Sequence, residues 1–330
     1  MKIISKVTNA IVITALILTA SSCGDDDDGN VIIPTDDNIV AIATADSDLS
    51  LLVTALAAAD GDLVSVLNGS GPFTVLAPTD TAIQAFLTAN NYADISAVPT
   101  DELQQILLNH VIPGEVSSTT LTNNVAGYTE TSSTAGPNGS TISMYYNTTN
   151  GVVFNGGATV STPDIAASNG IIHKIDAVIG LPDVTTFATA DPNFSRLVEA
   201  LTAYSFDYVT TLQGEGPFTV FAPNNTAFDA LLDVNNDWTV PGDIDETVLT
   251  DALNLHVVPS TNIREADLVD GNLTTLSKEI TVDATAKTIR LDGNDAASAS
   301  AIIFTDVQAT NGVIHVIDEV LLDLPSINPN

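Results

Sequence analysis

Cysteine is almost absent. The 330 residues hold one, Cys23, so no internal disulfide can form and any role for sulfur rests on that position. Basic side chains are nearly as scarce, with eight lysines and arginines against 41 carboxylates and a formal charge of −33. A polyanion of this kind repels phosphate backbones, which excludes nucleic acid as a partner. The acidity suits an exposed protein kept soluble, including in salty surroundings where screening is strong. Aromatic residues make up 5% of the chain, with a single tryptophan, yet 45% of residues are hydrophobic, enough for a core in each half. Signatures of catalysis are missing as well. There is no nucleophile elbow, phosphate-binding loop, paired-cysteine metal site or dinucleotide fingerprint. Ser70, between Gly69 and Gly71, lacks the G-x-S-x-G pattern.

What is present is a repeat. Gly71-Pro72-Phe73-Thr74-Val75-Leu76-Ala77-Pro78-Thr79-Asp80-Thr81-Ala82-Ile83 returns 145 residues later as Gly216-Pro217-Phe218-Thr219-Val220-Phe221-Ala222-Pro223-Asn224-Asn225-Thr226-Ala227-Phe228. Each copy reads as a Gly-Pro turn, a buried strand, and a Pro-bounded turn into a helix whose N-terminus Thr79 or Asn224 can cap. The period is too long for a solenoid unit and suits a whole domain. The length also predicts about two domains.

The rest of the chain follows the same rhythm. Leu49, Leu52, Val53 and Leu56 fall at helical spacing after Thr44-Ala45-Asp46, as do Phe194, Leu197, Val198 and Leu201 after Thr189-Ala190-Asp191. Val98-Pro99 and Val240-Pro241 stand in the polar segments that precede a second helical pattern. There Leu103, Ile106, Leu107 and His110 match Leu249, Ala252, Leu253 and His256. Beyond Val111-Ile112-Pro113 and Val257-Val258-Pro259, short Thr- and Val-rich runs with Asn-Gly and Asp-Gly signals predict antiparallel strands. Each copy closes on a strand after Asn-Gly, Ile171-Ile172-His173-Lys174-Ile175-Asp176 and Val313-Ile314-His315-Val316-Ile317-Asp318. The expected organisation is a leader over residues 1–22, an acidic tether over 23–37, and domains over 38–181 and 182–327. The few residues around Leu181-Pro182-Asp183 that join the domains predict a stiff tandem. Helices first and strands afterwards make an α+β fold.

The N-terminus reads as an export signal: Lys2 and Lys6, the apolar run Ala10–Ala20, then small residues before Cys23. It resembles the lipobox of bacterial lipoproteins, in which that cysteine becomes the lipid attachment site. Ala20 departs from the leucine usual there. Asp25, Asp26, Asp27 and Asp28 directly behind Cys23 form a self-repelling tether and resemble the surface-export signal of Bacteroidetes lipoproteins.

The FTVLAPTDTAI segment, the middle LNHVIPG and the closing NGIIHKIDAVI, with their second-copy counterparts FTVFAPNNTAF, LHVVPS and NGVIHVIDEVLL, resemble the fasciclin (FAS1) domain family over nearly all of the exported chain. The resemblance implies two tandem FAS1 domains, each a wedge of short strands in two sheets packed with N-terminal helices. It also implies adhesion as the role. In some animal members a Tyr-His pair in the middle motif is linked to integrin binding. Here Asn109 precedes His110 and Leu255 precedes His256, so that mode is not implied.

Four histidines occupy matched positions, His110 with His256 and His173 with His315. Their apolar settings point to core hydrogen bonding and not to metal or acid–base chemistry. Pro78, Pro223, Asp80 and Asn225 read as motif residues of the strand-to-helix joint, the last two as caps or turn residues, since the change from Asp to Asn removes any shared carboxylate chemistry. Asp176 and Asp318 read as turn residues. Asp233-Val234-Asn235-Asn236-Asp237 partly matches a calcium loop, but Trp238 stands where glycine is needed and Ile244 where glutamate is needed. No metal or cofactor is expected. Trp238, Tyr145 and Tyr146 are candidate surface aromatics for a sugar ring or a protein partner.

The sequence thus predicts a non-enzymatic adhesion or interaction protein, an outer-membrane lipoprotein exposed on the cell surface. It would bind an as yet unknown protein or polysaccharide and meet the membrane through its lipid. One alternative is a glycan-binding module of the envelope. Another is an envelope enzyme or a carrier of an apolar ligand.

Overall fold

The structure is a computed structural model and describes residues 37–205, 207–293 and 299–323. The leader, Cys23 and the Asp25–Asp28 run lie outside the described residues. In the first repeat, α1 (Ile39–Ala45), α2 (Ser50–Ala58) and α3 (Leu63–Leu67) precede β1 (Phe73–Pro78). The Asn38 side chain caps α1 by accepting from the Ala41 N–H at 2.9 Å. β1 is apolar on both faces and buried almost throughout, the pattern of a central strand covered on both sides. Pro78 ends it, and Thr79 caps α4 (Asp80–Ala89) by accepting from Ala82 N at 3.3 Å. There follow α5 (Thr100–Asn109), β2 (Val111–Pro113), α6 (Ser118–Asn124), β3 (Ala126–Glu130), β4 (Ser143–Asn147), β5 (Val153–Phe154), β6 (Ala158–Ala167) and β7 (Gly170–Ile175).

The second repeat runs in the same order: α7 (Val184–Ala190), α8 (Ser195–Thr202), α9 (Tyr208–Leu212), β8 (Phe218–Pro223), α10 (Asn225–Leu232), α11 (Glu246–Leu255) and β9 (Val257–Pro259), then β10 (Gly271–Thr274), β11 (Glu279–Asp283), β12 (Thr288–Leu291), β13 (Ser300–Ala309) and β14 (Gly312–Ile317). Asn224 caps α10 as Thr79 caps α4, taking Ala227 N at 2.9 Å.

Each repeat builds one seven-stranded sheet, ordered β2-β1-β7-β6-β5-β4-β3 and β10-β11-β12-β13-β14-β8-β9. The two sheets expected for each domain are the two ends of this one surface. β1 is antiparallel to β2 but parallel to β7, pairing Phe73 with Gly170 through Pro78 with Ile175. β8 and β14 repeat that pairing. The two strands most alike between copies are therefore neighbours inside each sheet, one strand in from its edge. The Val-Pro pairs are not equivalent. Buried Val98 matches buried Ile244, each at the approach to a helix, α5 or α11, whereas Pro241 opens a 3₁₀ turn (Pro241–Asp243) that corresponds to Ile95–Ala97.

The described residues lie in one compact unit, and the junction between repeats is packed. Tyr145 of β4 belongs to the core of the second repeat, together with Phe187, Val307 and Ala309. Tyr128 of β3 stacks its ring 5.1 Å from Tyr145, 5.7 Å from Phe187 and 5.7 Å from Phe304. Its hydroxyl donates to the buried Asp191 carboxylate at 2.9 Å. Burial, then the neighbouring Asp191, pushes the Tyr128 phenol pKa well above its ordinary value. Ser143 Oγ accepts from Gln308 N at 3.0 Å, and Arg264 lies 3.6 Å from Glu130.

In the first repeat the residue matching Asp191 is Asp46, paired with Lys174 at 2.5 Å. Lys174 is replaced by Val316 in the second, which frees Asp191 for Tyr128. Replacing Tyr128 by phenylalanine leaves a buried carboxylate one donor short, a loss of about 1.5–3 kcal/mol. Amide exchange across Phe187–Asp191 is expected to quicken by about tenfold or more, since 1.4 kcal/mol is tenfold; unchanged exchange would show that the hydroxyl holds nothing.

Candidate functional site

All four histidines are buried, and their partners fix their tautomers. His110 donates from Nδ1 to Ile106 O at 2.7 Å and accepts at Nε2 from Ile179 N at 3.0 Å. His256 repeats this with Ala252 O at 2.6 Å and Leu321 N at 3.0 Å. His173 has the opposite tautomer, accepting at Nδ1 from Asp164 N at 3.1 Å and donating from Nε2 to Val116 O at 2.9 Å. His315 matches it, with Asp306 N at 3.5 Å and Ile263 O at 2.8 Å. Each ring thus uses one nitrogen as donor and one as acceptor, the neutral state. Burial pushes His110 and His256 down to about 4 and lowers His315 as well. These rings tie helix ends and loops to the closing segments. Nitrogen-15 spectra at neutral pH are expected to show the Nδ1–H form for His110 and His256 and the Nε2–H form for His173 and His315; a shared tautomer would contradict the geometry.

Asp80 and Asn225 cap a different helix from the one they begin. Asp80 accepts from Leu51 N at 2.8 Å and from Ser50 Oγ at 2.5 Å, closing the N-terminus of α2. Asn225 accepts from Arg196 N at 2.9 Å at the start of α8 and donates to Pro192 O at 2.9 Å. Pro78 and Pro223 are buried at the strand ends. Asp176 and Asp318 each accept a backbone N–H, of Thr159 and Ala301, at 2.7 Å.

Asn169 and Asn311 carry more than the turn role that their Asn-Gly context suggests. Asn169 accepts from Ile39 N at 2.9 Å and donates to Leu67 O and Gly69 O at 2.7 and 2.8 Å. Asn311 does the same with Val184 N, Leu212 O and Gly214 O. One amide thus joins the first helix, the third helix and the turn that leads from it to β1 or β8. Gly71 and Gly216 are required beside it. Their φ values are +54° and +63°, and a Cβ would stand 2.2 Å from the Asn169 or Asn311 carbonyl oxygen. The signal was visible only as the recurrence of Asn at matched positions.

The candidate surface aromatics are a correction. Tyr145 is 2% exposed and Tyr146 7%. Successive strand residues face opposite ways, so Tyr145 enters the second repeat and Tyr146 the sheet's own inner cluster. Trp238 is half-buried against the core of the second repeat. No exposed aromatic cluster is formed by these three. In the calcium-like loop, the Asn235 side chain is engaged by Asp237 N at 3.1 Å. Among the described residues no three histidine, cysteine or acidic side chains converge as a metal site.

The apolar cavities beside His256 and His110 measure about 40 and 20 Å³, against the roughly 150 Å³ of a cavity that admits benzene. An open crevice of about 230 Å³ under the linker is lined by Asn155 and Thr186 among apolar residues, with no ionisable group. A surface recess of about 310 Å³ holds Glu279 and Asp292 beside the Lys278–Asp323 ion pair. None of these four combines depth with paired ionisable groups. Among the described residues no single helix is long and apolar enough to cross a membrane.

The fasciclin domain model matches residues 47–182 and 192–323. The chain belongs to the fasciclin family. Transforming growth factor-beta-induced protein ig-h3 of Sus scrofa is 29% identical over 266 residues, 78% of this chain and 35% of that protein. The chain therefore spans about a third of the length of that relative. Protein sll1735 of Synechocystis is 41% identical over 151 residues, 43% of this chain and 98% of that protein. Among solved structures, a FAS1 domain pair from the insect cell adhesion molecule fasciclin I covers 82% of this chain and is itself 95% covered, with TM-score 0.50 and 21% identity, a likeness of fold.

The two FAS1 copies differ where they meet. Asn109 and Leu255 hold the same place before the middle-motif histidine. Asn109 donates to Ile179 O and Gly180 O of the linker at 3.4 and 3.0 Å, whereas Leu255 is buried among apolar residues of its own repeat. The long segment between β3 and β4 has no equal in the second copy, and its Gly136 lies against Gln308 of that copy. Several differences between the copies thus serve the junction.

Proposed function

We propose that this chain is an exported, lipid-anchored interaction protein, held at the outer membrane through Cys23 and displayed on the cell surface, where it binds partners through its FAS1 surfaces and catalyses nothing. The observation that carries this reading is the pair of FAS1 domains, a fold also used by an insect cell adhesion molecule. The neutral, structural use of all four histidines supports it, because it leaves the duplicated motifs occupied with holding the domains together. Export and anchoring rest on the leader, Cys23 and the acidic run Asp25–Asp28. The partner is a protein or polysaccharide of the surface or matrix. With Tyr145 and Tyr146 buried, the glycan-binding alternative loses two of its three aromatic candidates, and the apolar cavities beside His256 and His110 are too small for an apolar cargo.

Proteinase K applied to intact cells should degrade the protein, and Cys23→Ser should release it from the membrane fraction. Protection on intact cells with digestion only after lysis would overturn surface display. Retention of the serine variant in the membrane would overturn the anchor.

A further inference from the structure

The outer bulge of β13 carries two exposed apolar side chains, Ile303 and Phe304. The register of β13 against β14 slips between Ile302 and Phe304, so the extra residue, Ile303, turns outward beside Phe304. They are 52% and 47% exposed. β6 slips at the matching place, between Val160 and Thr162, and presents Ser161 and Thr162 there, both exposed. One copy therefore builds the same bulge with two hydroxyls, so the bulge itself does not call for an apolar pair.

This pair continues the junction. Phe304 lies 5.7 Å from the Tyr128 ring, which Tyr145 and Phe187 hold from behind, so the outer apolar side chains stand on an already rigid aromatic base. The rim is charged. Glu130 and Asp306 flank Arg264 at 3.6 and 3.5 Å, and Glu265 accepts from Thr305 Oγ1 at 2.6 Å while pairing with Lys287. Three carboxylates thus face two cations, within a chain whose net charge is −33.

We propose that the Ile303–Phe304 bulge is a docking site for a protein segment that alternates apolar and basic side chains. The apolar residues cover Ile303 and Phe304, as aromatic anchors at interface centres are covered, and the basic ones meet Glu130, Glu265 and Asp306. A second copy of the chain carries the same negative charge and is repelled. The inference deepens the reading of the chain as an interaction protein and rests on it.

The test is fluorescence anisotropy with a labelled peptide alternating leucine and lysine, titrated with the purified protein and with the double variant Ile303→Ser/Phe304→Thr. Those substitutions install the residues of the first copy, so they keep the bulge and leave every charge in place. The wild type should bind saturably, and the variant about tenfold more weakly or worse, the loss of one anchoring side chain. Equal affinity of the two proteins would mean that net charge alone holds the peptide and would overturn the proposal. Absence of saturable binding to the wild type would do the same. If sedimentation shows the wild type self-associating and the variant not, the occupant is a second copy and the proposal fails. None of these results depends on surface display, so the protease experiment above fails or succeeds separately.

Discussion

Replacing Asn169 by alanine is expected to destabilise the first FAS1 domain by about 3–5 kcal/mol, the upper range for a single substitution. The change deletes three hydrogen bonds and leaves the Ile39 N–H and the Leu67 and Gly69 carbonyls without that partner, at about 1–3 kcal/mol for each polar group left buried and unpaired. Asn169→Asp should be no milder, since it turns a carboxylate oxygen toward two carbonyl oxygens. Asn311→Ala should reproduce the loss in the second domain. Urea unfolding followed by hydrogen exchange assigns each loss to its domain. A cost below about 1 kcal/mol would show that water or a small shift replaces the amide, and that the duplicated asparagine is a turn residue after all.

Acid is expected to weaken the fold well before its carboxylates titrate. His110 and His256 are held near 4 in the folded state by burial, against about 6.5 in an unfolded chain. The unfolded state therefore binds more protons between these values. The stabilisation from keeping each ring neutral is complete above about pH 6.5 and is lost as pH falls toward 4. At pH 5 the loss is about 2 kcal/mol for each ring, or about 4 kcal/mol for the pair. The lowered His315 acts in the same direction. Relief of repulsion among the carboxylates opposes this, mainly nearer their own range of about 4.

No charged side chain bonds to either ring of the pair, whose partners are backbone groups alone. Urea midpoints at pH 7.5 and 5 measure the effect, and His110→Gln/His256→Gln should flatten the slope whatever it does to stability at neutral pH. Equal stability at both pH values would mean that the rings are not held neutral.

Much of the architecture was legible because it is written twice. Matched apolar spacing revealed the helices, and the repeated Phe-Thr-Val run with its proline and capping residue revealed the strand-to-helix joint. The parallel partnership of β1 with β7 was not legible, because strands far apart in sequence carry no local mark of who pairs with whom. Tyr145 and Tyr146 looked exposed beside polar neighbours. Tyr145 is covered by the other repeat and Tyr146 by its own inner cluster, contacts that no window of sequence contains. The role of Asn169 has no local mark, because its three partners lie about 100 residues or more away. Ile303 and Phe304 would read as an ordinary strand, and only the bulge turns both outward. The differences between the copies were the better guide to the candidate surfaces, since what both share serves the fold.

The central claim is that a FAS1 pair on the cell surface binds and does not catalyse, and cell attachment tests it most directly. Cells lacking the protein should attach to matrix more weakly than cells producing it. Added purified protein should compete with the producing cells, and restoring the full chain should restore attachment. Undiminished attachment without the protein, in cells whose wild type displays it to proteinase K, would contradict the account.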